Sequence, residues 1–175
     1  MTPDVDTRLE TVVTALRQVV LPALPADEPL AREQANLCIG QLSVIAEQYR
    51  FATEYEAICL AEILRLSWAL LDAAEGGAAL EQAVADLRRT AAAAEDASTG
   101  TPRDRRNAVA RQLDDLLRVG GQDGSGAFRS RSQRLVLEHG VRQSARDRAW
   151  FRGCGMDPDA AVLPTIGQMI EEARA

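Results

Sequence analysis

Arginine carries most of the chemistry this chain could perform. All 20 basic residues are Arg. Seven of them (Arg129, Arg131, Arg134, Arg142, Arg146, Arg148 and Arg152) fall in one stretch that holds only Glu138 and Asp147 as acids. Arg142 and Arg146 are four positions apart, as are Arg148 and Arg152, so on a helix each pair stacks. Like charges at that spacing cost a few tenths of a kcal/mol unless something neutralises them. One neutraliser is an anion from outside the chain (a phosphate-bearing ligand, a nucleic acid or an acidic partner), because the planar guanidinium meets phosphate and carboxylate oxygens in pairs. Trp150, at the end of the stretch, could stack on a base. Arg142, Arg146, Arg148 and Trp150 are therefore the candidate ligand-binding residues, for a nucleotide or an acyl-coenzyme A. The other neutraliser is the acidic first half of the chain or of a second copy, with Trp150 anchoring the helix end to the core.

Other chemistries find less support. Without lysine there is no Schiff base, no lysine-anchored cofactor and no usual P-loop. Cys154, in Gly-Cys-Gly beside the basic stretch, is the candidate for an enzyme, since nearby positive charge favours a thiolate. His139, the single histidine, would lie about 22 Å away along a straight helix. One His cannot supply the two Glu-x-x-His pairs of a di-iron bundle. Glu54, Glu56 and Glu62 could make an all-carboxylate site, but the expectation is that Glu54 and Glu62 face solvent and Glu56 meets an Arg. No catalytic residue, metal or cofactor is assigned. The segment Gly120–Gly126 (GGQDGSG) has no preceding strand and no following Lys, so it is expected to be a flexible linker and not a phosphate cradle. That length of linker, with the net charge of −6, also argues against a helix-turn-helix over the flanking segments.

The elements that must position these residues are helical. Aromatics are 4% of the 175 residues, while Ala and Leu, strong helix formers, dominate with Val. Residues 1–102 hold 7 Arg and 16 acids, and residues 103–152 hold 12 Arg and 6 acids. The charge is thus divided along the chain, and a negative whole disfavours nucleic acid. Cys38, Cys59 and Cys154 are too scattered for a disulfide framework. With no signal-like opening and no apolar run of about 20 residues, the expectation is a cytoplasmic protein, bacterial in type and without a membrane span.

A first helix is expected over about 5–21, capped at Thr7 with Glu10 and stopped by Pro22 and Pro25. The most informative pattern follows. Cys38, Leu42, Ile45, Tyr49, Ala52, Glu56, Cys59, Ile63, Leu66, Leu70 and Ala73 alternate steps of four and three. A flanking row adds Leu37, Val44, Phe51 and Ile58. An unbroken heptad phase with no Gly or Pro from 41 to 75 predicts one long, buried central helix over about 27–75 with its N-cap at Asp27. The competing reading starts a new helix at Thr53. Further helices are expected over 78–95, from Pro102 (capped by Thr101) to Gly120, over 127–151, and from Asp157 to about 172 with a kink at Pro164.

The stretch Val20-Leu-Pro-Ala-Leu followed by Glu28-Pro-Leu-Ala-Arg-Glu-Gln34 resembles a group of uncharacterised bacterial all-helical proteins, over residues 18–45. That resemblance implies a helical fold and no particular activity.

The expected architecture is all-α: one helical domain over 1–175, about five helices packed around the long one with antiparallel neighbours. Its long-helix core is 1–96, its Arg-rich helices lie over 101–152, and a short helical piece covers 157–173. An apolar helix longer than such a domain needs suggests a homodimer. The first functional expectation is a non-catalytic protein acting through protein–protein contacts. The second is a binder of a small anionic ligand through 127–152, and the third an enzyme using Cys154.

Overall fold

The fold is all-α. The computed structural model describes residues 4–174, and among them no strand forms beyond one isolated bridge between Gly76 and Gly124. Among the described residues no helix is long and apolar enough to cross a membrane. Contacts divide the chain into two compact units, the first holding the residues up to Ala52 and from Asp147 onward, the second Thr53–Arg146.

In the first unit, helix α1 (Val5–Ala15) runs on through a π turn (Leu16–Val20) and a last turn at Leu21–Ala23. Its N-cap is Asp4, not Thr7: the Asp4 carboxylate accepts from the Thr7 amide at 2.8 Å. The backbone turns extended at Leu24, and the carbonyls of Leu21 and Leu24 are taken up by the Arg32 guanidinium at 3.2 and 2.9 Å. A cation is favoured at a helix C-terminus, where unsatisfied carbonyls concentrate negative charge. Helix α2 (Pro29–Gln48) starts from Glu28 and not Asp27, with no side-chain cap. Arg50 pairs with Asp6 at 2.8 Å, so both ends of α2 are tied to opposite ends of α1 and the two run antiparallel. The chain re-enters this unit with the end of a later helix, a 3-10 turn at Arg152–Cys154 and a C-terminal helix. Here Ile39, Val44, Ala149, Ile166, Met169 and Ile170 are buried. A side chain at Gly153 would strike Glu47, which fits the absence of one where the turn meets α2. The stretch after Asp157 is a series of turns, and the helix forms only beyond Pro164, at Ile166–Arg174. A proline cannot donate to a preceding turn, so helix resumes after it and not through it.

Between α2 and helix α3 (Ala52–Ala73) lies one 3-10 turn, Tyr49–Phe51. Gln48, Tyr49 and Ala52 keep right-handed helical dihedrals. The expected long helix is thus helical from Pro29 to Ala73, with its hydrogen bonding tightened at 49–51, and no loop opens before Thr53. The heptad row, however, is buried along only part of its length. Cys59, Leu66 and Leu70 are buried, whereas Cys38, Ile45 and Tyr49 are exposed, as is Leu37 of the flanking row.

The second unit is built from α3, α4 (Ala78–Glu95), α5 (Pro102–Asp123) and α6, which begins at Gly126 and runs to Trp150 across the division between the units. All four helices contribute to one core, including Leu66, Leu70, Leu87, Val109, Leu116 and Phe128. Helices α4 and α5 lie closest together, as small side chains at the contact allow: Ala91 and Ala94 are buried. Thr101 caps α5 by accepting from the Asp104 amide, as expected from Thr-Pro.

The expected linker at 120–126 is instead helix as far as Asp123, and only Gly124 and Ser125 connect α5 to α6. Its glycines provide space. A Cβ on Gly120 or Gly124 would run into the ring of Phe128, and one on Gly76 into the Asp123 carbonyl. The two connections clasp each other: the Gly77 amide donates to the Asp123 carbonyl at 3.0 Å and the Ser125 amide to the Glu75 carbonyl at 2.8 Å. This short connection removes the length objection to a helix-turn-helix, but the net charge of −6 still opposes that reading.

Candidate functional site

Helix α6 is held at its start by Ser125, whose hydroxyl accepts from the Phe128 amide at 3.1 Å. Phe128 and Leu135 then enter the core. Beyond Leu135 the inward face turns polar, with His139, Gln143 and Arg146 at helical spacing. Opposite them α3 presents Tyr55, Cys59 and Glu62, one turn and then nearly another apart. A polar seam replaces the apolar one along this part of α3 and α6, which accounts for the sparse apolar residues of α6.

Glu62 is the hub of the seam. Its side chain is 13% exposed, and the Arg146 guanidinium, 12% exposed, reaches it at 3.2 Å. Arg142 approaches at 3.4 Å and Arg65, from the same helix, at 2.5 Å. Burial pushes the Glu62 carboxyl up, but Arg146, Arg65 and Arg142 together outweigh it and hold it below the ordinary carboxylate value. Gln143 donates to the Tyr55 hydroxyl at 3.5 Å and the Cys59 sulfur at 3.6 Å, and accepts from Arg146 at 3.0 Å. His139 Nδ1 and Arg146 Nε are buried without a hydrogen-bond partner among the described residues. Burial lowers the His139 pKa. Glu62 opposes that shift, while the three arginines reinforce it.

The structure thus brings Arg142 and Arg146 together on a carboxylate. Arg148 and Trp150 belong to the first unit. There Arg148 grips Asp157 with two hydrogen bonds, 2.7 and 2.9 Å, and reaches Asp159 at 2.7 Å. These bonds hold the Asp157 carboxyl down at about 2 and raise the Arg148 pKa. Arg152 donates to the Ala160 carbonyl in the same turn at 2.8 Å. Trp150 is half-buried, and its carbonyl accepts from Gln48 at 2.9 Å. Of the candidate ligand-binding residues, then, the three arginines each meet an acidic side chain of this chain.

The carboxylates read as a possible metal site are separately engaged. Arg106 lies 2.8 Å from Glu56, without hydrogen-bond alignment, and Arg103 lies 3.6 Å away. Glu54 is half-buried, and Glu62 faces the seam and not solvent. Among the described residues no group of three or more metal-ligating side chains exists. Cys59 is buried and Cys38 exposed. Cys154 is half-buried in the first unit, beside a cleft of about 690 Å³ that Leu37, Gly40 and Met156 also line. His139, its one possible imidazole base, is a residue of the second unit.

Glu62 is read from the sequence only as a metal-site carboxylate expected to face solvent, and Gln143 and Arg32 are not singled out. The signal for the first was present: Glu62 continues the Tyr55–Cys59 row at helical spacing, and a carboxylate on a row otherwise buried requires a cation opposite it. Neither a family model, nor a curated protein, nor a solved structure matches this chain.

Proposed function

We propose that this protein acts without catalysis, through protein–protein contact, and that it works as a homodimer. The observation that carries the reading is the uncovered half of the heptad row. Leu37 and Ile45 on α2 and Tyr49 at the start of the 3-10 turn are 53, 46 and 50% exposed, and Val12 and Val19 on the α1 segment are 47 and 66% exposed. Val5, Val12 and Val19 repeat every seven residues, and so do Cys38 and Ile45, the spacing by which helices interlock. A second copy presents the same rows, and a two-fold contact between identical surfaces is the commonest assembly. The arginines that suggested an anion site meet Glu62, Asp157 and Asp159, which takes support from the ligand reading.

Covering the open half of one such side chain is worth about 1 kcal/mol. Ile45→Glu with Tyr49→Glu removes two from each protomer, about 4 kcal/mol in the dimer, and so weakens association about a thousandfold. Sedimentation velocity at micromolar concentration is expected to show a dimer for the native chain and a monomer for this variant. A native chain that sediments only as a monomer there overturns the reading.

A further inference from the structure

Helix α6 has an outer face that nothing in the second unit covers. At 100° per residue, Ser130, Arg134, Leu137, Val141 and Ala145 form one row opposite the row of Phe128, Leu135 and His139. Leu137 and Val141, one turn apart, are 70 and 72% exposed. Arg134 lies within that row and Arg131 along one edge of it, both exposed and with no ion pair among the described residues, and the edge continues with Arg142, whose side chain is 43% exposed despite its contact with Glu62. Glu138 shares that edge, so three guanidiniums stand against one carboxylate. Along the other edge a groove of about 360 Å³ runs between α5 and α6, lined by Leu117, Gly121 and Val136 together with the polar Arg129, Ser132 and Gln133.

We propose that this face docks an acidic amphipathic helix of a partner protein. The proposal rests on the protein–protein reading above and names the chemistry of the partner. Charge complementarity commits it: arginines line one flank of an apolar pair, and a groove lies on the other. A helix that fits places an apolar stripe on Leu137 and Val141, sends one apolar side chain toward Leu117 and Val136, and lays Asp or Glu along the flank facing Arg131 and Arg134. A phosphate polymer would use the arginines and leave the apolar pair and groove unfilled. Helix-in-groove recognition uses anchors at steps of three and four, which is the spacing the face presents.

The test uses the full chain and a fluorescent peptide of about five helical turns, with a leucine stripe and glutamates on one flank. A peptide with Lys in place of Glu and a single-stranded oligonucleotide serve as comparisons. Fluorescence anisotropy is expected to show binding of the acidic peptide alone. Its Kd should rise about tenfold in R131E/R134E, as expected for two partly exposed ion pairs, and at least as much in L137S/V141S. The four positions are exposed, so the variants should melt with the native chain. Their sedimentation should also be unchanged, which separates this surface from the α1 and α2 rows. Equal binding of the two peptides, binding of the oligonucleotide alone, no binding at all, or a shift to monomer in either variant would each overturn the proposal. The last would assign the face to a second copy.

Discussion

Gly120→Ala and Gly121→Ala, adjacent substitutions on α5, should move stability in opposite directions. Gly120 is buried, and a methyl group there meets the edge of the Phe128 ring. The ring has little room to move, since it is 1% exposed and packed in the core shared by all four helices. Forcing an extra carbon into a filled core costs about 1–3 kcal/mol. Against this, Ala is better than Gly inside a helix by up to about 1 kcal/mol, and by less in the last turn, where this position lies. The net loss for Gly120→Ala is about 1–2 kcal/mol. Gly121 is exposed and a Cβ there has nothing within 4 Å, so only the gain of about 0.5 kcal/mol remains. In a chain of this size Tm should then fall by about 3–6 °C in the first variant and rise by about 1–2 °C in the second. Thermal melts and urea titrations read both. Phe128→Leu supplies the decisive control, because a shorter side chain vacates the contested space. The double variant should recover about 1 kcal/mol relative to the sum of the two single losses. Strict additivity, or a Gly120→Ala protein as stable as Gly121→Ala, would refute the packing role assigned to these glycines.

Two more predictions concern the ion pairs. Glu62→Gln keeps the volume but leaves Arg146, 12% exposed, beside Arg142 and Arg65 without a counter-charge. The loss should be about 2 kcal/mol, between that of an exposed pair and a broken buried one, and the His139 pKa should drop further because the one group raising it is gone. An unchanged melting curve and His139 titration would contradict the hub. Asp157 titrates at about 2 in the folded chain, below its ordinary 3.8. The unfolded chain therefore binds more protons between those values, so this contribution is full above about pH 4 and is lost as pH falls through the folded pKa. In Arg148→Ala, the carboxyl carbon resonance of Asp157 should titrate with a midpoint shifted toward 3.8. A midpoint that stays put would mean that Arg148 does not hold it down.

What the sequence made legible depends on whether the signal was local. Helix α4 begins and ends at the expected residues and α5 starts at Thr101-Pro102, because caps and breakers act within a few residues of themselves. Gly120 and Gly121 misled for the same reason. A glycine reads as a stop from local rules, yet Gly120 is there to admit a ring eight residues further on. Thr7 gave way to Asp4, three positions earlier, because Asp4 is the residue whose backbone is extended and whose carboxylate accepts from the Thr7 amide. The partners of Arg142, Arg146 and Arg148 could be assigned by sign but not by number, since Glu62 is 80 or more positions from the first two. That pairing requires α6 to lie along α3, a fact no spacing contains.

The heptad row shows the limit most sharply. Periodicity identifies which residues share a face; it does not say what covers that face. From Ile63 onward the row enters a core shared by four helices. Before Ala52 the material available in the first unit is α1, whose helical segments contain no buried residue, and a few turns with one short C-terminal helix. That unit buries few large side chains, while among the described residues all the exposed large apolar ones except Leu137 and Val141 belong to it. A small core is marginal because it buries too little of its own surface. Anything that binds the folded form and covers those rows then adds directly to its stability. Under the proposed dimer, one repeat has two uses: its second half builds the chain's own core, and its first half is completed by another copy.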